Sequence, residues 1–251
     1  MKFRTRLAIA ALCSAAAIAA LAAAPDLDGI IRLWAAATGG MARIRSVRAV
    51  RMTGRITFGD DPARPLVVEL ARPGSIRTEI AFPEGTYVQA FDGTRGWTLS
   101  HFGGAGGPVP MTSEEAAAAP EQADMDGPLV DFEKKGIRLA LEGTEPVEGR
   151  PAYRIRVTRP DGTVRHLDLD VQSSLKVRWT GELGPTGKKT ETSSIFSDYR
   201  VVNGLTFPFR IRSGPSGKPA NQEIVFEKIE VDPAIDPTRF RMPPESPPAA
   251  P

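Results

Sequence analysis

Thiol and imidazole chemistry have almost nothing to work with in this chain, which holds one cysteine, Cys13, and two histidines, His101 and His166. Cys13 falls within a leader described below, so the processed chain has no disulfide, no thiol nucleophile and no thiolate ligand. Neither histidine has a second His or a Cys near it, and no metal site or cofactor is expected. Gly-x-Ser-x-Gly is absent, which excludes the nucleophile turn of an α/β-hydrolase. Ser173 and Lys176 do fit Ser-x-x-Lys, but they sit between two strands, and neither Ser-Asp-Asn nor Lys-Thr-Gly accompanies them. Gly184 to Lys189, GPTGKK, has the wrong glycine spacing for a phosphate loop and reads as a hairpin turn. His166, Asp168 and Asp170 read as the solvated face of a strand. No residue is assigned to catalysis.

Charge of one sign is also missing. Lys2, Arg4 and Arg6 are the only charged side chains among the first 24 residues, so taking those three from the 32 basic residues leaves 29 against 30 Asp and Glu. A near-neutral chain has lost the main support for nucleic-acid binding. Long apolar runs are limited to Leu7–Ala20, which is short and poor in large side chains for a membrane span of about 20 residues. With its basic start and Ala22-Ala23-Ala24 it forms a secretory signal peptide over residues 1–24, cleaved near Ala24 and directing the chain to the periplasm. Leu12 is too bulky for the position before a lipid-modified cysteine.

What is present is alternation. Leu66 to Leu99 reads as four consecutive antiparallel strands: Leu66, Val68 and Leu70 oppose Val67, Glu69 and Ala71, then Ile76, Thr78, Ile80 and Phe82 oppose Arg77, Glu79 and Ala81. Pro73-Gly74, Pro83-Glu84-Gly85 and Asp92-Gly93 supply the reversals. Val47 to Phe58 is a further strand, and similar hairpins run from Ile137 to Val231. Before them, Leu27, Ile30, Ile31 and Trp34 mark one stripe of a helix that stops at Gly39-Gly40. Between the two β regions, residues 112–136 carry helix signals: a Thr112/Glu115 capping box, then Asp126 as cap of a second short helix with Pro128 in its first turn.

The fold expected is mainly β (α+β): a curled antiparallel sheet forming an incomplete β-barrel, with an N-terminal helix and a helical lid insertion at 112–136. One domain is expected over residues 25–242, followed by a Pro-rich disordered tail at 243–251.

In order and spacing, four pieces resemble the LolA-like family of periplasmic lipoprotein carriers, including outer-membrane lipoprotein-sorting-like proteins. They are Arg72-Pro73-Gly74 at a strand end, QAFDGTRGW at Gln89–Trp97, FSDYRVVNGLTFPFRI at Phe196–Ile211, and RFRMP at Arg239–Pro243. The resemblance implies an incomplete barrel lidded by helices, a hydrophobic cavity for acyl chains, and no catalysis. The family's functional arginine before proline would fall on Arg72, which parity also places on the apolar side. The chain departs from the smaller carriers in length and in its Ala-rich Thr112–Ala123 segment.

Acyl chains are expected on the concave face formed by Val50, Met52, Ile56, Val68, Leu70, Ile80, Phe82 and Trp97, with Leu129 and Phe132 closing over them and Arg72 gating the lid. A fully packed core is the alternative. The function read from this is a non-catalytic periplasmic carrier of lipid or lipoprotein acyl chains, in chaperone-like transfer toward the outer membrane. Its partners would be inner- and outer-membrane transfer proteins, with no nucleic acid, and it would act as a monomer. A periplasmic lipid or lipoprotein sensor that regulates a partner protein is the second reading; a secreted hydrolase lacks a recognisable nucleophile and base.

Overall fold

The structure, a computed structural model, describes residues 25–100, 107–183 and 190–244. The leader, His101, the GPTGKK turn and residues 245–251 lie outside it. Strands β1 (Ala49–Phe58), β2 (Arg64–Ala71), β3 (Ser75–Phe82), β4 (Gly85–Phe91), β5 (Gly96–Ser100) and the two-residue β6 (Val109–Pro110) are successive hairpin neighbours. So are β7 (Arg138–Val147), β8 (Arg150–Thr158), β9 (Val164–Asp170), β10 (Lys176–Leu183), β11 (Thr190–Val202), β12 (Leu205–Pro215) and β13 (Gln222–Val231). β13 pairs back onto β1, giving one antiparallel sheet of 13 strands whose ends, β6 and β7, stay unjoined. This is the curled, incomplete barrel that the turn chemistry and alternation predict.

Three helices face the sheet. In α1 (Leu27–Thr38), Asp26 accepts the Gly29 N–H at 2.8 Å as N-cap, and Gly39 ends the helix with φ at 120°. A side chain at Gly39 is excluded twice over, by that φ and by the Gly204 carbonyl oxygen, 2.2 Å from where a Cβ would sit. α2 (Met41–Ser46) was not foreseen, because six residues carry too little periodicity to read. α3 (Ser113–Gln122) begins with the expected capping box: the Glu115 N–H donates to Thr112 Oγ1 at 3.3 Å, and the Thr112 N–H donates to the Glu115 carboxylate at 2.8 Å.

The second helix expected at Asp126 does not form. Residues 123–136 run as turns, with left-handed backbone at Gly127, Asp131 and Gly136, and no helix continues through such positions. Asp126 spends its carboxylate on Arg72, while Lys135 ties the segment together by donating to Asp124 at 2.7 Å and to the Gly127 carbonyl at 2.8 Å.

Apolar side chains on the concave side fall into two large clusters, beside a smaller one where Phe91 and Ile76 meet Ala119 of α3 and Ala123. One holds Ile56, Leu66, Ile80, Phe209, Phe226 and Ile229; the other holds Ile30, Ile31, Ile155, Leu167 and Leu169. Trp34 and Met41 pack against both, so α1 and the start of α2 span the gap between them.

The convex face is drier than local alternation suggests. Strand pairing aligns Arg51, Glu69, Arg77, Ala90 and Trp97 in one row. Trp97 therefore lies on the convex side, a correction to its expected place in the concave face. The turn at Asp92–Gly96 sets this register, pairing Ala90 with Trp97 and Phe91 with Gly96. Residues 232–242, including a 3-10 helix (Pro237–Phe240), cross this row: Trp97 Nε1 donates to the Phe240 carbonyl at 2.9 Å, and Phe240 is buried.

Asp168 and Asp170, expected on a solvated face, are buried instead. Asp168 Oδ2 accepts from Arg178 Nε at 2.7 Å with Arg154 3.9 Å away, and its other oxygen has no hydrogen-bond partner. Asp170 accepts from the Ser173 N–H (2.7 Å), the Ser173 hydroxyl (2.8 Å) and Arg150 (2.9 Å). Burial pushes Asp170 up, but those donors outweigh it and hold its carboxyl below the usual range. Ser173 thus serves as a turn residue bound to Asp170.

Burial dominates at Asp168, lifting its carboxyl from 3.8 to about 6 against the pull of Arg154. Between those values the native state holds a proton that the unfolded chain releases. Its stabilising contribution is therefore complete below pH 3.8 and lost as pH rises through about 6. At about 1.4 kcal/mol per pH unit, up to about 3 kcal/mol is at stake. The stability difference between Asp168→Asn and wild type should move in the variant's favour by about 1–3 kcal/mol as pH rises from 4 to 7 in urea unfolding. Because the comparison is a difference, the opposite slopes of lowered carboxyls such as Asp170 and Asp92 cancel. A difference that stays flat across this range would refute the assignment.

Candidate functional site: an apolar cavity under a latched cap

A cavity of about 590 Å³ lies between the concave face and the elements above it. That is within the roughly 300–1,000 Å³ of small-molecule pockets. Trp34 of α1 and Ile44 of α2 meet Val50 and Met52 of β1 and Leu70 of β2 on one side. Leu167, Trp179, Phe196 and Phe207 of β9 to β12 form the other side, and Leu129 with Ala118 and Met125 comes from the 112–136 segment.

Of the residues expected to receive acyl chains, Val50, Met52, Leu70 and Leu129 line this cavity. Ile56, Val68, Ile80 and Phe82 lie on the same face but are packed into the first core cluster, and Phe132 packs into the second. Trp97 is on the far side of the sheet, among Val88, Ala90 and Leu99. The void is thus displaced toward β9–β12, where Leu167, Trp179 and Phe207 show the same inward alternation in sequence.

Arg72 sits just beyond β2 and links the cap to the frame. Its Nε donates to the Val47 carbonyl at 2.6 Å and its Nη2 to the Ile44 carbonyl at 3.3 Å, both at the C-terminal end of α2. The same guanidinium binds both oxygens of Asp126, at 2.7 and 2.6 Å. The carbonyls that Arg72 binds are those of α2, and the insertion is held through a carboxylate. The Asp126 hydrogen bond, opposed by partial burial, raises the Arg72 pKa and keeps it charged.

One charged side chain reaches the cavity against simple alternation. Lys176, Arg178 and Thr180 should share a face, but a register shift between Lys176 and Arg178 reverses the parity of Lys176. Lys176 pairs with the inward Leu169, while Arg178 pairs with the convex-face Asp168. The Tyr199 hydroxyl donates to the Lys176 carbonyl beside this bulge. The Lys176 ammonium lines the cavity, 3.8 Å from the centre of the Phe196 ring. Nothing in a run of Lys, Val, Arg and Trp signals the extra residue. At the polar end of the cavity, Arg165 donates to Glu121 at 3.2 and 3.3 Å. Among the described residues no group of three or more His, Cys, Asp or Glu side chains is placed to hold a metal ion.

No family model matches the chain, and no curated protein matches it. Solved structures do. A LolA superfamily protein from Nitrosomonas europaea superposes with a TM-score of 0.57 at 13% identity, over 87% of this chain and 98% of that one. The chain has a LolA-like fold. A putative outer membrane lipoprotein-sorting protein domain from Vibrio parahaemolyticus shares this LolA-like architecture (TM-score 0.57, 10% identity, 84% of this chain, 94% of that one). So does a DUF1329 family protein from Desulfovibrio piger (TM-score 0.57, 13% identity, 85% and 96%). At such identities the likeness is one of fold.

Proposed function

We propose that this chain is a non-catalytic, exported carrier that holds lipid or lipoprotein acyl chains in its cavity for transfer across the periplasm. The observation that carries this reading is a largely apolar 590 Å³ void in a LolA-like fold, roofed by a segment attached through Arg72 and Asp126. Apolar walls favour hydrocarbon, since each methylene withdrawn from water contributes about 0.8 kcal/mol. A long chain could gain on the order of 10 kcal/mol, part of it offset by opening the cap and ordering the ligand. The lipoprotein-sorting domain that shares the architecture fits the same reading.

A fluorescent fatty-acyl probe should gain intensity saturably on titration into the purified protein. Leu70→Glu places a carboxylate in the cavity wall and should weaken binding at least about ten-fold, since an unpaired buried charge costs more than that factor requires. Val201→Glu, at an exposed site, should leave it unchanged. No saturable gain with wild type, or equal binding by Leu70→Glu, would remove the carrier reading.

A further inference from the structure

Lys176 is set apart from every other charge around the cavity by what it lacks. Glu121 of α3 is held by Arg165 and lies 4.0 Å from Arg159; Asp124 is held by Lys135 and Asp126 by Arg72. Glu182 of β10 is also engaged, and the neighbouring Tyr199 hydroxyl is spent on the Lys176 carbonyl. Among the described residues no carboxylate comes within ion-pair distance of the Lys176 ammonium, whose one partner is the face of Phe196. A bulge therefore turns a lysine into an apolar chamber and leaves its charge without a counter-ion, an arrangement that burial penalises unless an anion arrives.

We propose that the cavity selects single-chain amphiphiles with an anionic head, a carboxylate or a phosphate, whose oxyanion pairs with the Lys176 ammonium while the acyl chain lies against the apolar wall. This rests on the carrier reading and names its ligand class. Lys176 acts as an anchor for the head, and the Phe196 ring holds the ammonium in place before the ligand binds. Burial lowers the Lys176 pKa to about 8, so the free protein carries the charge at pH 7 and loses it above pH 8. A bound anion restores the charged form, so anion affinity must fall as pH rises through about 8 toward the ordinary lysine value. Carboxylate and phosphate probes stay ionised over that range, so the probe's own titration cannot produce the loss.

Three probes with one oleoyl chain separate the possibilities: monooleoylglycerol, oleate and oleoyl lysophosphatidic acid, titrated at pH 7 and pH 9.5. Wild type should prefer at least one anionic probe over the neutral one by about ten-fold at pH 7, equivalent to about 1.4 kcal/mol, and lose the preference at pH 9.5. Which anion is preferred distinguishes a fatty-acid source from a phospholipid one. Lys176→Met should bind all three alike at both pH values, and Lys176→Arg should keep the preference at pH 9.5. Equal binding of the three by wild type at pH 7, or a preference indifferent to pH, overturns the proposal even if Lys176→Met fails to fold. If wild type binds none of the three probes, the carrier reading is removed along with the proposal.

Discussion

Arg72→Leu is expected to bind a fluorescent acyl probe about ten-fold more tightly than wild type and to release it more slowly. The guanidinium joins three parts of the molecule that cargo must separate if it enters beneath the cap: the end of β2, the last carbonyls of α2, and Asp126 in the turn-rich half of the cap segment. Charged hydrogen bonds of this kind are worth about 1.5–3 kcal/mol where water is excluded. The Arg72 side chain is 36% exposed against 11% for Asp126, so the lower end of that range applies. About 1.4 kcal/mol is a ten-fold shift in a two-state cap, and apparent affinity scales with the fraction of protein able to receive the ligand. Asp126→Asn removes the ion pair but keeps the bonds from Arg72 to α2. It should reproduce much of the gain, and the double variant should add little to Arg72→Leu. Titration and stopped-flow release would read all three proteins. A folded Arg72→Leu with wild-type affinity and release rate sinks the latch.

This device was half legible in the sequence. Parity pointed Arg72 toward the apolar side, and the resemblance of Arg72-Pro73-Gly74 to a family pattern suggested a gating role. Its partner was not legible, because Asp126 followed by Pro128 looks like a helix cap until the left-handed backbone at Gly127 and Asp131 is seen. The sheet itself was the most readable part, since period-two alternation and turn residues are local signals that long-range packing did not override. Lys176 was unreadable for the converse reason: a single bulge reverses parity without changing composition, and no residue type marks it. Glu69 illustrates a third limit. Alternation assigns it to the outer face correctly, but what covers that face arrives from residues 232–242, and local patterning carries no record of a segment 170 positions away.

That segment gives Glu69→Ala a large expected cost in stability, about 3 kcal/mol. Glu69 is 1% exposed in the middle of the convex row, accepting from Arg51 Nε at 2.9 Å and from Arg239 Nε at 2.8 Å. Removing one partner of a buried pair typically costs 3–5 kcal/mol because the remaining charge is stranded. Here both arginines are partly solvated, Arg239 at 41%, which places the loss at the low end. Arg239→Ala removes only the more exposed partner and leaves Arg51 in place, so about 1 kcal/mol is expected from it. Phe240→Ala tests the apolar half of the same closure and should cost about 3–5 kcal/mol, the usual range for emptying a buried phenylalanine site. Urea unfolding gives the three values. Trypsin gives an independent local reading, since Glu69→Ala and Phe240→Ala should both open residues 232–242 and speed cleavage at Arg239 and Arg241. If Glu69→Ala unfolds within about 0.5 kcal/mol of wild type and these sites stay protected, the ion pairs do not hold the segment, and Phe240 with the Trp97 hydrogen bond must do so alone.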